Sequence, residues 1–324
     1  MLVANFNKFG LASEVINLRE VASLRDPKDD EVLINILTFP INPADLLTLQ
    51  GKYATKPSLP NTLGAEAIGR VKKIGKLVEN LKEGDIVMPL CRNNWVTEKL
   101  VLKNNLIKLP CDINLDQASM LKVNPATAYL MLNNYIKLSE GDYLVQNAAN
   151  SSVGQIIINL ANLYGIKTIN IVRRKKLIKE LEKKGAYETI LDQDLEQIKD
   201  INPKKKTIGI DAIGGKKTCK LANALNESST IINYGLLSGN NVEVTSHQII
   251  FKNITLKGFW LTLWLNKLSI EEKIKLYNHL ALLIKKKVIT VDIAKKYDIK
   301  NLKQAINESE NYKRDGKILV TNLE

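Results

Sequence analysis

The stretch DYLVQNAANSSVGQIIINLANLYG, residues 142–165, passes from a strand to a helix through a turn with one glycine. Its first part, 142–149, is a short apolar run that predicts a buried strand. From Val153 onward the apolar residues recur at helical spacing, and Gly165 is placed to end the helix. A strand that leads into a helix in this way is typical of a parallel sheet with crossover helices.

The turn has the context of a phosphate-binding loop but lacks most of its glycines. A pyrophosphate binds to backbone N–H groups at a helix N-terminus, where glycines allow a tight turn and close approach. Here only Gly154 remains, although serine hydroxyls can also bond phosphate oxygens. By spacing alone the turn is either a cofactor loop or an ordinary turn capped by Asn150 or Ser151. The cofactor interpretation assigns binding to Asn150, Ser151, Ser152 and Val153.

The rest of the chain divides into two patterns. From about residue 118 to residue 267, strand patterns alternate with helix patterns, which predicts a doubly wound α/β Rossmann domain over 118–267. Residues 1–117 carry short strand patterns at close spacing, which predicts a small β-barrel completed by 268–324. The strand candidates of the Rossmann part are 142–149, 167–173, 187–192, 207–214, 229–235 and 253–260.

The second of those strands ends in three basic residues. In Rossmann folds an acidic residue near this point holds the ribose diol of NAD, whereas arginine accommodates the 2′-phosphate of NADP. Arg173, Arg174 and Lys175 stand here with no acid nearby, which favours NADPH. The alternative is a solvated basic strand end.

Composition limits the class of protein. The formal net charge is +13. Such a charge would attract acidic partners such as an acyl carrier protein, a phosphorylated cofactor or nucleic acid. The alternative is that it only reflects lysines scattered along the chain. No apolar run is long enough to predict a membrane span. The start has no apolar signal region and no leader pattern, so a bacterial-type cytoplasmic location is expected, or the mitochondrial matrix if a leader was removed. The three cysteines are far apart and predict reduced thiols.

Several stretches together resemble one superfamily. They are INPADLLTLQGKY (41–53), GAEAIG (64–69), VNPATAYLML (123–132), NYGLL (233–237), LKGFWLTLW (256–264) and GKIL (316–319). With the opening turn, they resemble the medium-chain dehydrogenase/reductases, and within them the mitochondrial-type trans-2-enoyl-thioester reductases, which are related to quinone oxidoreductases. The resemblance implies a Rossmann domain, a GroES-like catalytic β-barrel and a homodimer.

The resemblance also implies an activity. It is the NADPH-dependent reduction of the carbon–carbon double bond of an enoyl-CoA or an enoyl-acyl carrier protein, as in fatty acid synthesis, with Tyr53 as the proton donor. A phenol suits this role because it is neutral at pH 7 and can donate both a hydrogen bond and a proton. The other cofactor residues that the resemblance implies are Asn124, Tyr234, Gly235, Leu236, Leu237, Phe259, Trp260, Leu261 and Lys317.

A zinc site is not expected. Zinc alcohol dehydrogenases carry a histidine beside the glutamate of their GHE motif and two cysteines as ligands. In this chain Ala65 stands beside Glu66, and INPAD contains no cysteine. Glu66 and Asp45 are therefore interpreted as structural hydrogen-bonding groups.

Two other functions stay open. An NADPH-dependent quinone oxidoreductase would share the fold and the cofactor. A nucleic-acid-binding protein on a reductase fold is a remote alternative that rests on the net charge alone. No nucleic-acid partner is expected, because no basic–aromatic motif stands out. Neither the acyl-chain length nor the carrier, CoA or acyl carrier protein, follows from these residues.

Overall fold

A computed structural model of the chain describes residues 1–135, 137–194, 198, 201–311 and 313–322. The chain divides into two compact units. The first unit comprises Met1–Val123, Leu268–Lys287 and Val291–Glu324, and the second comprises Asn124–Lys267 and Val288–Thr290. The predicted domain bounds, 1–117 with 268–324 and 118–267, stay a prediction.

The second unit is built on one parallel sheet. Its strands are β9 (Tyr143–Gln146), β10 (Lys167–Val172), β11 (Glu188–Leu191), β12 (Thr207–Asp211), β13 (Thr230–Asn233) and β14 (Thr255–Gly258). They lie in the order β11-β10-β9-β12-β13-β14, and every pairing is parallel. This is the doubly wound Rossmann order, so the predicted α/β fold is confirmed. Each of the six predicted strands forms, somewhat shorter than its sequence pattern.

Helices connect these strands. They are α4 (Asn124–Asn134), α5 (Ser152–Leu163), α6 (Lys176–Glu182), α7 (Lys216–Ala224), α8 (Ser246–Ile250) and α9 (Leu261–Lys267). β9 and β12 are buried along their whole length because both faces of a parallel sheet are covered. Helix α5 buries Ile156, Ile157 and Leu160 as its helical spacing predicts.

The first unit is rich in antiparallel strands. They are β1 (Leu2–Phe6), β2 (Asn17–Glu20), β3 (Glu31–Pro40), β4 (Asn61–Thr62), β5 (Ile68–Ile74), β6 (Ile86–Pro89), β7 (Glu98–Leu102), β8 (Leu106–Lys108), β15 (Ile293–Asp298) and β16 (Lys317–Thr321). Three of them form the sheet β2-β1-β4, and the others form a sheet in which β3 lies centrally. β3 pairs with β5, β7 and β16, which makes it the best-connected strand of this unit. The helices are α1 (Ala12–Val15), α2 (Pro43–Leu49), α3 (Leu115–Ala118), α10 (Ile270–Lys285) and α11 (Leu302–Glu310).

The core of the first unit lies under β3 and β16. Phe39 and Trp95 are both completely buried there, and their rings stack with centroids 5.5 Å apart. Each such aromatic side chain removes a large apolar area from water, so this pair stabilises the core of the first unit. Among the described residues, no helix is long and apolar enough to cross a membrane.

Candidate active site

The predicted cofactor residues of the second unit, apart from Asn124, follow strands at one edge of its sheet. Because all six strands are parallel, their carboxyl ends lie at the same edge, which is where ligands bind in open α/β sheets. The strand order reverses between β9 and β12. The predicted residues follow directly after strands: Asn150–Val153 after β9, Arg173–Lys175 after β10, Tyr234–Leu237 after β13 and Phe259–Leu261 after β14.

The turn after β9 is a capped helix start with one essential glycine. Ser151 is the N-cap of α5, and its Oγ accepts the N–H of Gly154 at 3.2 Å. Gly154 is required because a Cβ there would lie 2.5 Å from the carbonyl oxygen of Ala149. The cap is therefore Ser151 rather than Asn150. The cap uses only one of the free N–H groups at the helix N-terminus, and the others can still bind an anion. The turn can therefore be both a helix cap and a phosphate-binding loop.

Ser151 lies close to a residue of another strand end. Its hydroxyl is near the phenol of Tyr234, which follows β13. Burial raises the pKa of Tyr234, so this phenol stays neutral. Gly235 comes next, and a Cβ there would lie 2.5 Å from the carbonyl oxygen of Ala212. The backbone after β13 is therefore packed closely against the backbone after β12.

A buried carboxylate that the sequence analysis did not single out organises this edge. Asp211, the last residue of β12, is completely buried. It accepts from the side chains of Asn147 at 2.6 Å, Thr218 at 2.5 Å and Asn233 at 3.1 Å. It also accepts the N–H groups of Ile213 and Gly214. Charge-assisted bonds to the ends of β9 and β13 make Asp211 the residue that holds the loops of this edge in place. An aspartate at the carboxyl end of a buried strand is the signal that could have found it.

The basic residues after β10 remain accessible. Arg173 and Lys175 are exposed and Arg174 is half-buried. The nearby acid after β11, Asp192, pairs with Lys217 instead. The end of β10 thus presents positive charge, as a 2′-phosphate requires.

The residues after β14 belong to an aromatic cluster. Phe259 is buried, stacks on Trp264 at 6.2 Å and contacts Tyr135 at 6.2 Å. The hydroxyl of Tyr135 donates to the carbonyl of Gly258 at 2.7 Å. Phe259 is therefore held rigidly, while Trp260 and Leu261 beside it are half-buried. Leu236 and Leu237 of the preceding loop are exposed apolar residues.

Tyr53 lies in the first unit, in the loop after helix α2. It is half-buried, and its N–H donates to the carbonyl of Leu47 at 3.1 Å. The guanidinium of Arg92 lies 5.9 Å from the centre of its ring. A positive group over the ring face is attracted to it and limits its orientation. Lys317 also lies in the first unit, whereas Asn124 begins helix α4 in the second unit and is buried.

A network of buried charges surrounds the start of helix α2. Asp45 is 0% exposed, Glu66 1% and Lys317 4%. Glu66 accepts from the side-chain amide of Asn42 at 2.7 Å and from the N–H of Val123 at 2.8 Å. The ammonium of Lys317 donates to the carbonyl oxygen of the same Asn42 amide. Asp45 and Glu66 are thus structural hydrogen-bonding groups, as predicted.

The residues of this network do not fit a zinc ion. Ala65 stands where the zinc branch has a histidine, and both histidines of the chain lie on exposed helix positions. The ammonium of Lys122 donates to the carbonyls of Ala65 at 2.7 Å and Cys91 at 2.9 Å, which places a cation of the protein beside Glu66. Among the residues that the structure describes, no group of three or more histidine, cysteine or acidic side chains could hold a metal.

Comparison with known proteins first identifies the class of protein to which the chain belongs. Residues 28–103 match the model of the alcohol dehydrogenase GroES-like domain, and residues 152–277 match that of the zinc-binding dehydrogenases. Both belong to the medium-chain dehydrogenase/reductase architecture of a GroES-like part and a Rossmann part.

The particular family follows from sequence similarity. The chain is 34% identical to the mitochondrial enoyl-[acyl-carrier-protein] reductase of Xenopus tropicalis, over 94% of this chain and 91% of the relative. It therefore belongs to the enoyl-[acyl-carrier-protein] reductase family.

Solved structures of two kinds share its fold. The complex of Etr1p with NADP and crotonyl-CoA has a TM-score of 0.88 at 26% identity, over 99% of both chains. Escherichia coli quinone oxidoreductase, solved with NADPH, has the same TM-score and identity, over 99% of this chain and 100% of that one.

Proposed function

We propose that this protein reduces the carbon–carbon double bond of trans-2-enoyl thioesters with NADPH. The observation that carries the proposal is the similarity to enoyl-[acyl-carrier-protein] reductases along 94% of the chain. The structures of its fold include one that holds NADP and crotonyl-CoA together. Both findings agree with the sequence stretches that resemble this family.

The second unit binds the cofactor. The N-terminus of α5 with Ser152 and Val153 receives the pyrophosphate, and Arg173, Arg174 and Lys175 receive the 2′-phosphate. The remaining part of the cofactor contacts Asn124, Tyr234–Leu237 and Phe259–Leu261. The rigid aromatic side chain of Phe259 excludes water from its surroundings. NADPH, when bound, supplies the hydride that reduces the β-carbon of the substrate.

Tyr53 completes the reduction. After the β-carbon is reduced, negative charge lies on the thioester oxygen and the α-carbon needs a proton. The phenol of Tyr53 gives that proton to the α-carbon. Its loop position, its tie to Leu47 and the nearby Arg92 support this role, because they leave the side chain half exposed and oriented.

A quinone oxidoreductase is the second candidate, supported by the fold shared with the Escherichia coli enzyme. Tyr53 separates the two functions, because reduction of a quinone needs no dedicated acid for carbon. Tyr53→Phe should lower the rate of crotonyl-CoA reduction about 100-fold and leave 1,4-benzoquinone reduction nearly intact. NADPH oxidation measured with both substrates checks this.

A tyrosine of the second unit provides the control. Tyr187 is 56% exposed, so Tyr187→Phe should keep both activities. Crotonyl-CoA reduction by Tyr53→Phe at the wild-type rate would reject the assignment of Tyr53, and no reduction of enoyl thioesters by the wild type would reject the proposed function.

The assembly and the carrier are part of the proposal. We infer a homodimer, because β14 is an edge strand whose four residues are all exposed. The positive net charge suits an acidic acyl carrier protein as well as the phosphates of CoA. A matrix or cytoplasmic location stays a prediction, although the Xenopus relative is named as mitochondrial.

A further inference from the structure

Helix α2 and the segment before β5 are joined by two reciprocal buried bonds. Asp45, on the helix, accepts the N–H of Ala65 at 3.1 Å. Glu66, on the segment, accepts from the side chain of Asn42 at 2.7 Å, at the N-cap of the helix. The N–H of Asn42 also donates to Asp45 at 3.0 Å. Hydrogen bonds to buried carboxylates are strong, so the first turn of α2 has one defined position.

The other end of the same helix holds Tyr53. The carbonyl of Leu47, in the last turn of α2, accepts the N–H of Lys52 at 2.8 Å and that of Tyr53 at 3.1 Å. A short helix moves as a unit, so a shift of Asn42 is transmitted to the loop that carries the phenol.

Lys317 supplies the charge that Glu66 needs. The amide of Asn42 lies between them, since its nitrogen donates to Glu66 and its oxygen accepts from Lys317. Burial raises the pKa of Glu66 and lowers the pKa of Lys317, while each charge stabilises the other. The other titratable groups near Glu66 are Asp45, Lys122 and Tyr277.

We propose that Glu66 is a positioning residue for the reduction: through Asn42 and helix α2 it fixes the place of the Tyr53 phenol, with Lys317 as its buried counter-ion. The proposal rests on the proposed function, in which Tyr53 donates a proton. It gives Lys317 a role within the first unit in addition to the predicted contact with the cofactor.

The test is a double-mutant cycle between Glu66 and Tyr53. Glu66 accepts from Asn42 with Oε1 and from Val123 with Oε2, so in Glu66→Gln an NH2 group faces one of these two donors. We expect kcat for crotonyl-CoA to fall about 10- to 100-fold, because small misplacement of a catalytic group has effects of this size. The Kd for NADPH should stay within threefold. In the Tyr53→Phe background, Glu66→Gln should cause almost no further loss.

Controls separate this role from a general structural one. Glu98→Gln removes a carboxylate of the same unit that pairs with Lys72 at the surface, and it should leave kcat unchanged. A loss that is as large in the Tyr53→Phe background as in the wild type would overturn the proposal, as would a kcat of Glu66→Gln within twofold of the wild type. If Glu66→Gln does not fold, Glu66→Asp carries the same cycle, because it keeps the charge that faces Lys317 and withdraws the carboxylate from Asn42.

The wild type is measured first. Without crotonyl-CoA reduction by the wild type, the proposed function itself fails. With wild-type activity and an unaffected Glu66→Gln variant, only the positioning role fails.

Discussion

At the scale of single residues, the turn after β9 holds a non-glycine residue in a backbone conformation that favours glycine. Ala148 has a φ of 48°, in the left-handed region that a residue with a Cβ adopts at a penalty. Its neighbours in the turn are fixed by β9 on one side and by the Ser151 cap on the other, so the strain is held by the surrounding structure.

Ala148→Gly should therefore stabilise the protein. Relief of the left-handed strain exceeds the entropy that glycine adds to the unfolded chain, so we expect the free energy of unfolding to rise by about 0.5–1 kcal/mol. Urea unfolding measures it. Ala149→Gly is the matched control: Ala149 is completely buried with no positive φ, so that change should destabilise. Equal effects of the two substitutions would contradict the explanation from φ.

At the scale of elements, Lys122 joins segments that are distant in sequence. Its ammonium bonds the carbonyls of Ala65 and Cys91, and its own carbonyl accepts the hydroxyl of Tyr277 on helix α10 at 3.1 Å. A buried cation is costly unless it is bonded in this way, and the protein retains it at neutral pH because the carbonyls compensate for lost water.

Stability should respond to this group at alkaline pH. Burial lowers the pKa of Lys122 to about 8, against 10.5 in the unfolded chain. Between pH 8 and pH 10.5 the unfolded chain binds a proton that the folded protein does not, so the free energy of unfolding rises with pH. This contribution is complete above pH 10.5 and is lost as the pH falls through 8. Between pH 8 and 10.5 the wild type should therefore gain up to about 3 kcal/mol relative to Lys122→Met. Unfolding of both proteins across this pH range tests it, and parallel curves would contradict it.

At the scale of the whole molecule, the sheet of the second unit ends in an exposed edge strand. β14 pairs with β13 alone among the described strands, and its Leu256 is 38% exposed, while Phe251 just before it is 72% exposed. An open edge strand beside exposed apolar residues is a template for pairing with another strand. A second copy of this chain is the proposed partner.

Leu256→Lys should therefore convert the dimer to a monomer. A charge on the edge strand opposes strand pairing, and the N–H groups of Thr255 and Phe259 remain bonded within the sheet. Sedimentation should show twice the chain mass for the wild type and the chain mass for the variant. Leu77→Lys, at a 58% exposed position of the first unit, should stay dimeric. A monomeric wild type would reject the proposed assembly.

Patterns along the chain were sufficient for the architecture. Alternating strand and helix patterns predicted each strand of the parallel sheet, because hydrophobic periodicity is local and a parallel sheet is buried on both faces. The basic end of β10 and the small residues of the 146–155 turn were also readable, since parallel strands bring their carboxyl ends to one edge. The stretches around Tyr53 and NPATAY indicated the family.

The way these residues are held depends on contacts between segments that are distant in sequence. The sequence around Asp211 does not show that it accepts from Asn147 after β9, Thr218 on α7 and Asn233 on β13. The contact of Lys317 with Asn42 spans 275 residues, and that of Glu66 with Val123 spans 57. Such bonds have no periodic signal, because they depend on where folding brings distant segments together. Local patterns in the sequence were enough to predict the sheet, the helices and the chemistry of the loops. Which buried charges compensate one another follows only from the fold, because a buried charge persists only where a partner from elsewhere in the chain reaches it.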